Sequence, residues 1–498
     1  MASTQTSSTI SGADQRIFLA PSAATNRPLG MEAVMLGHCP GQTRWQALLD
    51  MPDAIAALAE LGYQRAIDRL RTGTADAGLR ALYKLPLPIH SPAQFHALFP
   101  QAISTAARYR SRLAGDSAWL PRAVQDFFLQ AGRTGRRLWV IRVDESLAAE
   151  GFLPDADPDL SAPPDTLDAF AAALQLPEVG LLAMPDLERL LIPAELDDIP
   201  RLRLPNPPPG FLPCATALDD GHRERRNHWE MPAAYQAPPL TELLPRLLGP
   251  LRRYRPDLHC LLSLPLHSPR AGELPTPDPE LLDALRGNRI AGMQQLQWLF
   301  PYLRSRALSL YSAAGLIAGQ MVERTQRAGA WQSIAGRPLP GDGLPWPPQT
   351  RQQATALRES PGIGVLLNER QRLVLDDERL AAPVFHGNRD GTPSGEVARF
   401  IGWLRRALLR LGERLVFNAD PRDPRPLLAL TDFFTRLHAR GALRGRLPTQ
   451  AFSIRQLAGR ENLIEFEIAL APSVPIDRIR LHLAGDSGGS LRLELDHD

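Results

Sequence analysis

The sequence of 498 residues has almost no lysine. It contains a single one, Lys84, among its 56 basic residues. A P-loop nucleotide site and a protein-kinase site each need a lysine inside a fixed motif, and neither motif surrounds Lys84. Nucleotide-driven motor function and kinase function are therefore excluded by the sequence.

Cysteine and long apolar runs are also scarce. The three cysteines, Cys39, Cys214 and Cys260, are far apart and never form a CxxC pair, so the sequence predicts neither a disulfide framework nor a thiolate zinc site. The N-terminus has no basic start followed by an apolar stretch, and no run of 18 apolar residues follows. We therefore predict no direct membrane insertion.

The charge balance argues against a nucleic-acid partner. The chain has 56 basic and 54 acidic residues, for a net charge of +2, without the strongly basic footprint of a dedicated nucleic-acid binder. Arginine clusters occur, but they are not interleaved with stacking aromatics. The 44% of hydrophobic residues predicts a folded chain, and the 48 prolines, about twice the usual share, predict many interrupted elements.

Apolar runs alternate with helical patterns in the first half. The runs at 137–143, 179–186 and 258–264 are mainly apolar, as in strands covered on both faces. Amphipathic helical patterns lie at 121–131 and 241–253. The sequence therefore predicts a mixed α/β fold.

Composition changes along the chain divide it into units. The N-terminus is rich in Ser and Thr, which predicts a mobile arm, and a proline-rich stretch at 338–348 predicts a break. The predicted units are an N-terminal arm at 1–28, an α/β region at 29–345 with a proline-rich surface insertion at 193–237, a C-terminal domain at 346–484 and a terminal segment at 485–498.

The C-terminal domain has the clearest pattern. A helix predicted over 396–411 has one apolar stripe, with Arg399, Arg405, Arg406 and Arg410 elsewhere on its circumference. We expect the cluster of Arg405, Arg406 and Arg410 to be solvated or to link subunits. A second helix begins near Pro426, and strands at 464–468 and 479–483 alternate apolar residues with charges of opposite sign.

The terminal segment predicts a strand behind a flexible joint. Gly485, Gly488 and Gly489 are expected to act as a hinge, because glycine accepts changes of φ and ψ. The alternating strand that follows comprises Leu491, Arg492, Leu493, Glu494 and Leu495. A terminal strand on a hinge seeks a sheet edge, so we predict that it is donated to a neighbouring subunit and links the two.

Candidate catalytic and metal residues have simpler explanations. Ser487 lies in a Gly-Asp-Ser-Gly-Gly run that spells a serine-protease motif, but only residues 490–498 follow it to build a substrate pocket. An α/β hydrolase using Ser487 remains the alternative prediction. His259 and Cys260 are neighbours, so they point to opposite faces of a strand and form no catalytic couple.

Four residues of the proline-rich insertion are of types that can bind metal ions. Asp219, Asp220, His222 and His228 lie in the proline-bordered insertion without helical spacing, which favours a solvated loop. The Gly362-Ile-Gly364 sequence lacks the third glycine of a dinucleotide site and predicts a turn that enters a strand. We therefore predict no catalytic, metal or cofactor-binding residues and no cofactor.

The order of several segments resembles contractile tail sheath proteins, as in contractile phage tails, R-type bacteriocins and extracellular contractile injection systems. In the first two thirds of the chain these segments are Pro88–Phe95, Leu120–Phe128, Leu138–Val143, Met184–Asp186, Leu258–Pro265, Leu299–Leu303, Ala314–Gly319, Glu323–Thr325 and Gly329–Trp331. In the last third they are Leu415–Asn418, Phe433–Phe434, Gly441–Gly445, Ile468–Pro472 and Val474–Pro475.

Two departures from the family pattern indicate a divergent member. Gln15–Ala20 stands where typical sheath proteins carry a proline-glycine-valine-tyrosine opening, and the usual tryptophan-glycine-alanine-arginine-threonine stretch is unrecognisable around Leu373–Leu380. The insertion at 193–237 is extra. The chain is therefore expected to be a divergent sheath paralogue, used at one end of a sheath or mixed with a main subunit.

The resemblance implies a structural role and not an enzymatic one. It implies a multi-domain sheath protomer with extended N- and C-terminal arms, which polymerises helically around an inner tube and contracts to drive the tube through a target envelope. The implied partners are further copies or sheath paralogues, the inner tube protein, and baseplate and terminator or cap proteins. The implied location is a phage tail or an extracellular tail-like particle that is assembled in the bacterial cytoplasm.

Overall fold

A computed structural model gives the fold. It describes residues 30–100, 113–115, 117–131, 136–192, 237–267, 274–287, 290–306, 309–381, 394–416, 423–457, 463–473, 479–486 and 491–497, and for 414–416, 463, 479–480, 485–486 and 491–497 it describes the backbone alone. The arm at 1–28, nearly all of the insertion at 193–237, Ser487, Gly488 and Gly489 lie outside these residues.

The described residues alternate strands with helices. The strands are β1 (Glu32–Gly37), β2 (Pro86–Ile89), β3 (Leu138–Arg142), β4 (Val179–Ala183), β5 (His259–Ser263), β6 (Leu266–His267), β7 (Thr276–Pro277), β8 (Leu296–Phe300), β9 (Tyr302–Arg304), β10 (Leu310–Tyr311), β11 (Pro338–Leu339), β12 (Leu344–Trp346), β13 (Gly364–Glu369), β14 (Arg372–Leu375), β15 (Phe452–Leu457), β16 (Leu463–Leu470), β17 (Ile479–Asp486) and β18 (Leu491–His497).

The helices are distributed along the whole described chain. They are α1 (Gln46–Leu49), α2 (Pro52–Glu60), α3 (Gln64–Arg71), α4 (Ala77–Arg80), α5 (Pro92–Leu98), α6 (Leu120–Ala131), α7 (Ala169–Leu174), α8 (Pro185–Leu190), α9 (Leu240–Tyr254), α10 (Pro279–Arg286), α11 (Ala314–Ala328), α12 (Arg351–Glu359), α13 (Gly395–Val416), α14 (Arg425–Ala439) and α15 (Pro448–Ala451).

A nine-stranded mixed sheet organises the larger part of the described chain. Its order is β11-β14-β13-β8-β5-β4-β1-β3-β2. The strands from β13 to β3 in that order are parallel to their neighbours, whereas β2 at one edge and β14 and β11 at the other pair antiparallel. The central strands are buried on both faces, as their continuous apolar runs predicted. The predicted mixed α/β fold is therefore confirmed.

The described residues form two hydrophobic cores. The first, which we call the large core, lies on the nine-stranded sheet and includes side chains from Met31 to Ala381. The second, the C-terminal core, lies between α13, α14 and a four-stranded sheet of β15 to β18, and it also takes in Ala330 and Trp331. Every described element after residue 394 belongs to this second layer of helices on a sheet.

The two cores separate at a different place from the predicted boundary. The sequence analysis assigned 346–484 to one C-terminal domain, but β13 and β14, at 364–375, pair within the nine-stranded sheet. Strand β13 pairs parallel with β8, β14 pairs with β13, and apolar residues of both strands belong to the large core. The change of core falls between residues 381 and 394, and the boundary expected at 345 is corrected accordingly.

Candidate assembly site in the C-terminal sheet

The four-stranded sheet contains the residues that the sequence marked for subunit linking. Its order is β15-β16-β17-β18, and all neighbours are antiparallel. Strand β18 pairs with β17 without a register shift, from Ile479 opposite His497 to Gly485 opposite Leu491. Residues 491–495 therefore form a strand, as predicted, but they pair with the same chain.

The pairing of β18 bears on the linking hypothesis in two ways. In the isolated chain residues 491–495 pair with β17, which ends only a few residues earlier, and their donation to a neighbouring subunit stays a prediction. Gly485 is not a hinge in this arrangement, because it lies inside β17 between Ile464 and Leu491. Gly488 and Gly489, the other two predicted hinge residues, lie outside the described residues.

One face of this sheet is apolar and packs on the helices. Phe466 and Ile468 of β16 lie opposite Leu483 and Leu481 of β17, and all four side chains are buried in the C-terminal core. Alternate residues of a strand point to the same face, which places these side chains together against α13 and α14. Full burial of such a side chain contributes about 1.5–3 kcal/mol, so the apolar face holds the sheet in place.

The opposite face carries a row of ionisable positions. Arg455, Glu467, His482 and Glu494 lie directly opposite one another across β15, β16, β17 and β18. Arg455 Nη2 lies 2.6 Å from the Glu467 carboxylate, and the arginine side chain is largely exposed. Exposed ion pairs contribute little to stability, so this row serves mainly to fix which residues face each other.

The outer edges of the sheet are open within the described part of the chain. Strand β15 pairs on one side with β16, and β18 pairs on one side with β17. The outer strands of a sheet are the positions at which a further strand can add. Among the described residues no strand occupies either edge.

A second candidate site lies at the carboxyl ends of the parallel strands, where ligands of α/β proteins bind. Asp186 is buried there, after β4, and its carboxylate accepts hydrogen bonds from the backbone N–H groups of His38 (2.9 Å), Trp119 (2.8 Å) and Leu120 (2.9 Å). Two of these donors lie at the start of α6, so the carboxylate caps that helix.

Glu188 lies beside Asp186 and is also buried. Its Oε1 accepts a hydrogen bond from the Ser263 N–H at 3.0 Å, and burial raises its pKa to about 7. Each of the two carboxylates therefore accepts at least one hydrogen bond from the backbone of the chain itself. The position typical of an α/β active site is therefore used to join α6, β4 and β5.

His259 and Cys260 do not act on each other. His259 Nε2 lies 3.1 Å from Gln297 Oε1, and burial lowers the histidine pKa to about 4. Burial raises the pKa of the Cys260 thiol, which keeps it protonated. The two residues occupy successive positions of β5, as the sequence analysis inferred, and their side chains are parts of the buried core.

The remaining residues that the sequence singled out lie in several different places. Ser487, Asp219, Asp220, His222 and His228 lie outside the described residues. Over the ranges that are described, no cluster of three or more His, Cys, Asp or Glu side chains is arranged to hold a metal ion. No helix within those ranges is long and apolar enough to span a membrane. Gly362 has a positive φ of 99° and leads into β13, as the turn prediction required.

The arginines of α13 differ from the sequence expectation. Arg399 and Arg406 are buried, and each pairs with a carboxylate inside the chain, Glu378 and Asp257 respectively. Arg410 pairs with Glu178. The expectation of a solvated or subunit-linking arginine is therefore wrong for Arg406, because its partner Asp257 lies 149 residues earlier, where no helical pattern reveals it.

Comparison with known proteins identifies the fold. No family model matches the chain, and no curated protein matches it. A chain of the anti-feeding prophage (AFP) baseplate in contracted state aligns at 14% identity and a TM-score of 0.54, covering 94% of this chain and 96% of that one.

Two further solved structures are sheath proteins. The AFP helical sheath in contracted state aligns at 16% identity and a TM-score of 0.49, covering 96% of this chain and 98% of that one. A sheath tail protein from Desulfitobacterium hafniense aligns at 9% identity and a TM-score of 0.47, covering 93% and 99%. The chain shares its fold with the AFP baseplate chain over nearly its whole length.

Proposed function

We propose that the chain is a structural subunit of a contractile sheath. In this proposal it polymerises helically around an inner tube and contracts to drive that tube through a target envelope. The observation that carries the proposal is the shared fold with a chain of the AFP contractile baseplate, which extends over 94% of this chain. An alignment of that extent includes both cores and is therefore larger than a single common α/β motif.

The subunits are linked, in this proposal, by exchange of the terminal strand. Residues 491–497 pair with β17 in the isolated chain, and the same seven positions of a neighbouring copy offer identical pairing. Exchange between identical copies therefore loses no backbone hydrogen bond and gains a connection. Because each copy gives its strand to the next, the contact is head-to-tail and builds a helical filament.

The energy for contraction is stored in the packing between subunits. An extended sheath and a contracted sheath would differ in the contacts between copies, while the exchanged strands keep neighbours connected. No cofactor is required for such a transition. The partners in this proposal are further copies or sheath paralogues, an inner tube, a baseplate and a terminator or cap, within a phage tail or an extracellular tail-like particle assembled in the bacterial cytoplasm.

Electron microscopy tests the proposal directly. We expect negative-stain images of the purified protein, or of the protein co-expressed with its tube partner, to contain striated hollow cylinders. A preparation that stays monomeric with and without the tube protein would contradict a sheath role. A hydrolytic activity lost in Ser487→Ala would instead support the alternative enzyme.

Truncation tests the linking strand. Deletion of residues 490–498 removes β18 and is expected to abolish ordered polymer, because no strand remains to exchange. The protomer is expected to keep both cores, which can be checked by circular dichroism and by its elution volume. Normal cylinders from the truncated protein would rule out the linking role of this strand.

A further inference from the structure

Helix α13 has two different faces. Its apolar residues, among them Phe400, Leu404 and Leu408, are buried in the C-terminal core. Arg399 and Arg406 lie seven residues apart, and at 100° per residue they share one side of the helix. That side meets the large core, so the helix lies between the two cores with apolar contacts on one and arginines on the other.

The first arginine is held by a buried carboxylate. Arg399 Nη1 lies 2.5 Å from Glu378 Oε1, and the two side chains are 1% and 0% exposed. Its Nη2 also donates to the Gln332 carbonyl at 3.1 Å. Glu378 Oε2 accepts hydrogen bonds from Ser333 Oγ (2.8 Å) and from the Ile334 N–H (2.9 Å). The carboxylate is thus fixed to the segment that runs between the cores.

The second arginine is held in the same way. Arg406 Nη1 donates to the Asp257 carboxylate at 3.0 Å and to the Asp257 carbonyl at 2.9 Å. Arg255 donates to both oxygens of the same carboxylate, each at 2.9 Å, and its remaining donors bind backbone carbonyls of Leu174, Leu176 and Val179. This pair therefore connects α13 to the start of β4 and to the turn before β5.

Glycines let the helix approach the large core closely. A Cβ at Gly402 of α13 would lie within 3.0 Å of the Asp257 carbonyl, and a Cβ at Gly180 of β4 would lie within 3.0 Å of the Arg406 guanidinium. The missing side chains make room for the Arg406 contacts.

We propose that Arg399 and Arg406 are positioning residues that fix the C-terminal core to the large core as one rigid body. Apolar helix contacts allow small sliding movements, whereas a buried guanidinium has directional donors and leaves an uncompensated charge when its partner moves away. Two such contacts, about 10 Å apart along the helix, prevent both sliding and pivoting. In the proposed sheath, movement then occurs between copies and not inside each chain. This last consequence alone rests on the proposed function.

The distance between the two cores in the isolated chain tests the proposal. Spin labels at Leu129→Cys in α6 and Leu428→Cys in α14 place one probe in each unit, at side chains that are 55% and 63% exposed. Cys214→Ser removes the cysteine outside the described residues, and the native Cys39 and Cys260 are buried. Double electron–electron resonance then gives the distribution of distances.

A matched set of variants separates positioning from folding. We expect one narrow distribution of distances in the parent and a broad or two-component distribution in the double variant Arg399→Met with Arg406→Met. The control is Arg436→Met, because Arg436 is exposed on α14, and it should show the same distribution as the parent. A folded double variant that keeps the narrow distribution would overturn the proposal. If it does not fold, Arg399→Lys with Arg406→Lys decides, because lysine keeps the charge without the planar set of donors.

The lysine variant has the same two outcomes. Broadening supports the positioning role, and a distribution as narrow as that of the parent refutes it. The measurement uses the monomeric chain without a tube or a sheath. Failure of the proposal is therefore distinguishable from failure of the proposed function, for which the readout is the presence of cylinders.

Discussion

Glu188 is the buried carboxylate with the clearest consequence for stability. Burial raises its pKa to about 7, and the groups around it are Ser263, Ser312, Asp186, Cys260 and Tyr302. A carboxyl group of an unfolded chain has a pKa near 4.3. Between these two values the folded chain binds a proton that the unfolded chain has lost, so the free energy of unfolding contributed by this residue falls as the pH rises.

Glu188→Gln tests that sign. Glutamine keeps the acceptor for the Ser263 N–H and removes the titration. Relative to the parent, the variant is expected to gain stability from about pH 4 to about pH 7, by on the order of 1 kcal/mol for each pH unit. Urea unfolding at several pH values measures the difference. The same substitution at the exposed Glu60 is the control, and a Glu188→Gln difference that does not change with pH would contradict the argument.

The buried arginines of α13 illustrate what sequence reasoning misses. A helical pattern places Arg406 on a side of α13, but its partner Asp257 lies 149 residues earlier in the chain. We expect Arg406→Ala to lower the free energy of unfolding by about 2–5 kcal/mol, because truncation of this buried side chain leaves a cavity and removes its hydrogen bonds to the Asp257 carbonyl and carboxylate, while Asp257 keeps its pair with Arg255. Arg436→Ala removes an exposed pair and is expected to cost less than about 1 kcal/mol. Equal effects in denaturant titrations would show that burial of the pair is not the cause.

Helices α6 and α11 pack with their backbones in close contact. A Cβ at Gly315 of α11 would lie within 3.0 Å of the backbone of Ala123, and one at Gly319 would lie within 3.0 Å of the backbone of Phe127. The two glycines are four residues apart and therefore on one side of the helix. The small-residue segment that the sequence analysis matched to the sheath pattern thus has a packing role.

Gly315→Ala tests this close contact. The added methyl group must push the helices apart, and we expect a loss of about 1–3 kcal/mol, as for other insertions into packed cores. Gly78→Ala is the control, because Gly78 is exposed in α4 and its Cβ position has only an ordinary van der Waals contact, 3.5 Å from Asp76 Oδ1. There alanine is expected to stabilise the helix by about 0.5–1 kcal/mol. The two melting temperatures should move in opposite directions, and a shared direction would contradict the packing argument.

The elements that the sequence predicted well are those with a strong local pattern. The apolar runs at 137–143, 179–186 and 258–264 became β3, β4 and β5, and the stripe at 396–411 became the core of α13. Strand β1 was missed, although it lies between β3 and β4 in the middle of the sheet. Its six residues, Glu-Ala-Val-Met-Leu-Gly, have few β-branched side chains, and their parallel partners are more than 100 residues away in sequence.

Strand β18 shows a different limit of sequence reasoning. Its alternation predicted a strand correctly, but its partner was expected to be another copy and is β17 of the same chain. Period-two patterning specifies which face a residue occupies and not which chain supplies the neighbour. Every opposing position is the same whether β17 belongs to the chain itself or to an identical copy, so the sequence contains no signal that separates the two.

The molecule as a whole consists of two cores joined through α13, with the exchangeable strand on the outer edge of the smaller one. Contacts from α13 reach both β17 and β18. A pull on an exchanged β18 would therefore pass through the C-terminal core to α13 and, through Arg399 and Arg406, to the nine-stranded sheet.

Cysteines across β17 and β18 distinguish the two states of the strand. His482 and Glu494 lie directly opposite each other, close enough for a disulfide or a short thiol crosslinker. In His482→Cys with Glu494→Cys, crosslinking of the isolated chain is expected to give only monomers on a denaturing, non-reducing gel. Crosslinking before assembly should then prevent ordered polymer, because the strand is locked in its own chain, and reduction should restore it.

Crosslinking after assembly gives the decisive pattern. Exchanged strands place each new cysteine opposite that of a neighbouring copy, so the gel should show a ladder of covalent multimers. The control pair, Arg455→Cys with Glu467→Cys, joins β15 to β16 and should give monomers before and after assembly. Ordered cylinders that yield only monomers from the β17 and β18 pair would mean that each copy keeps its own strand, and the connection between subunits would then have to lie at another edge.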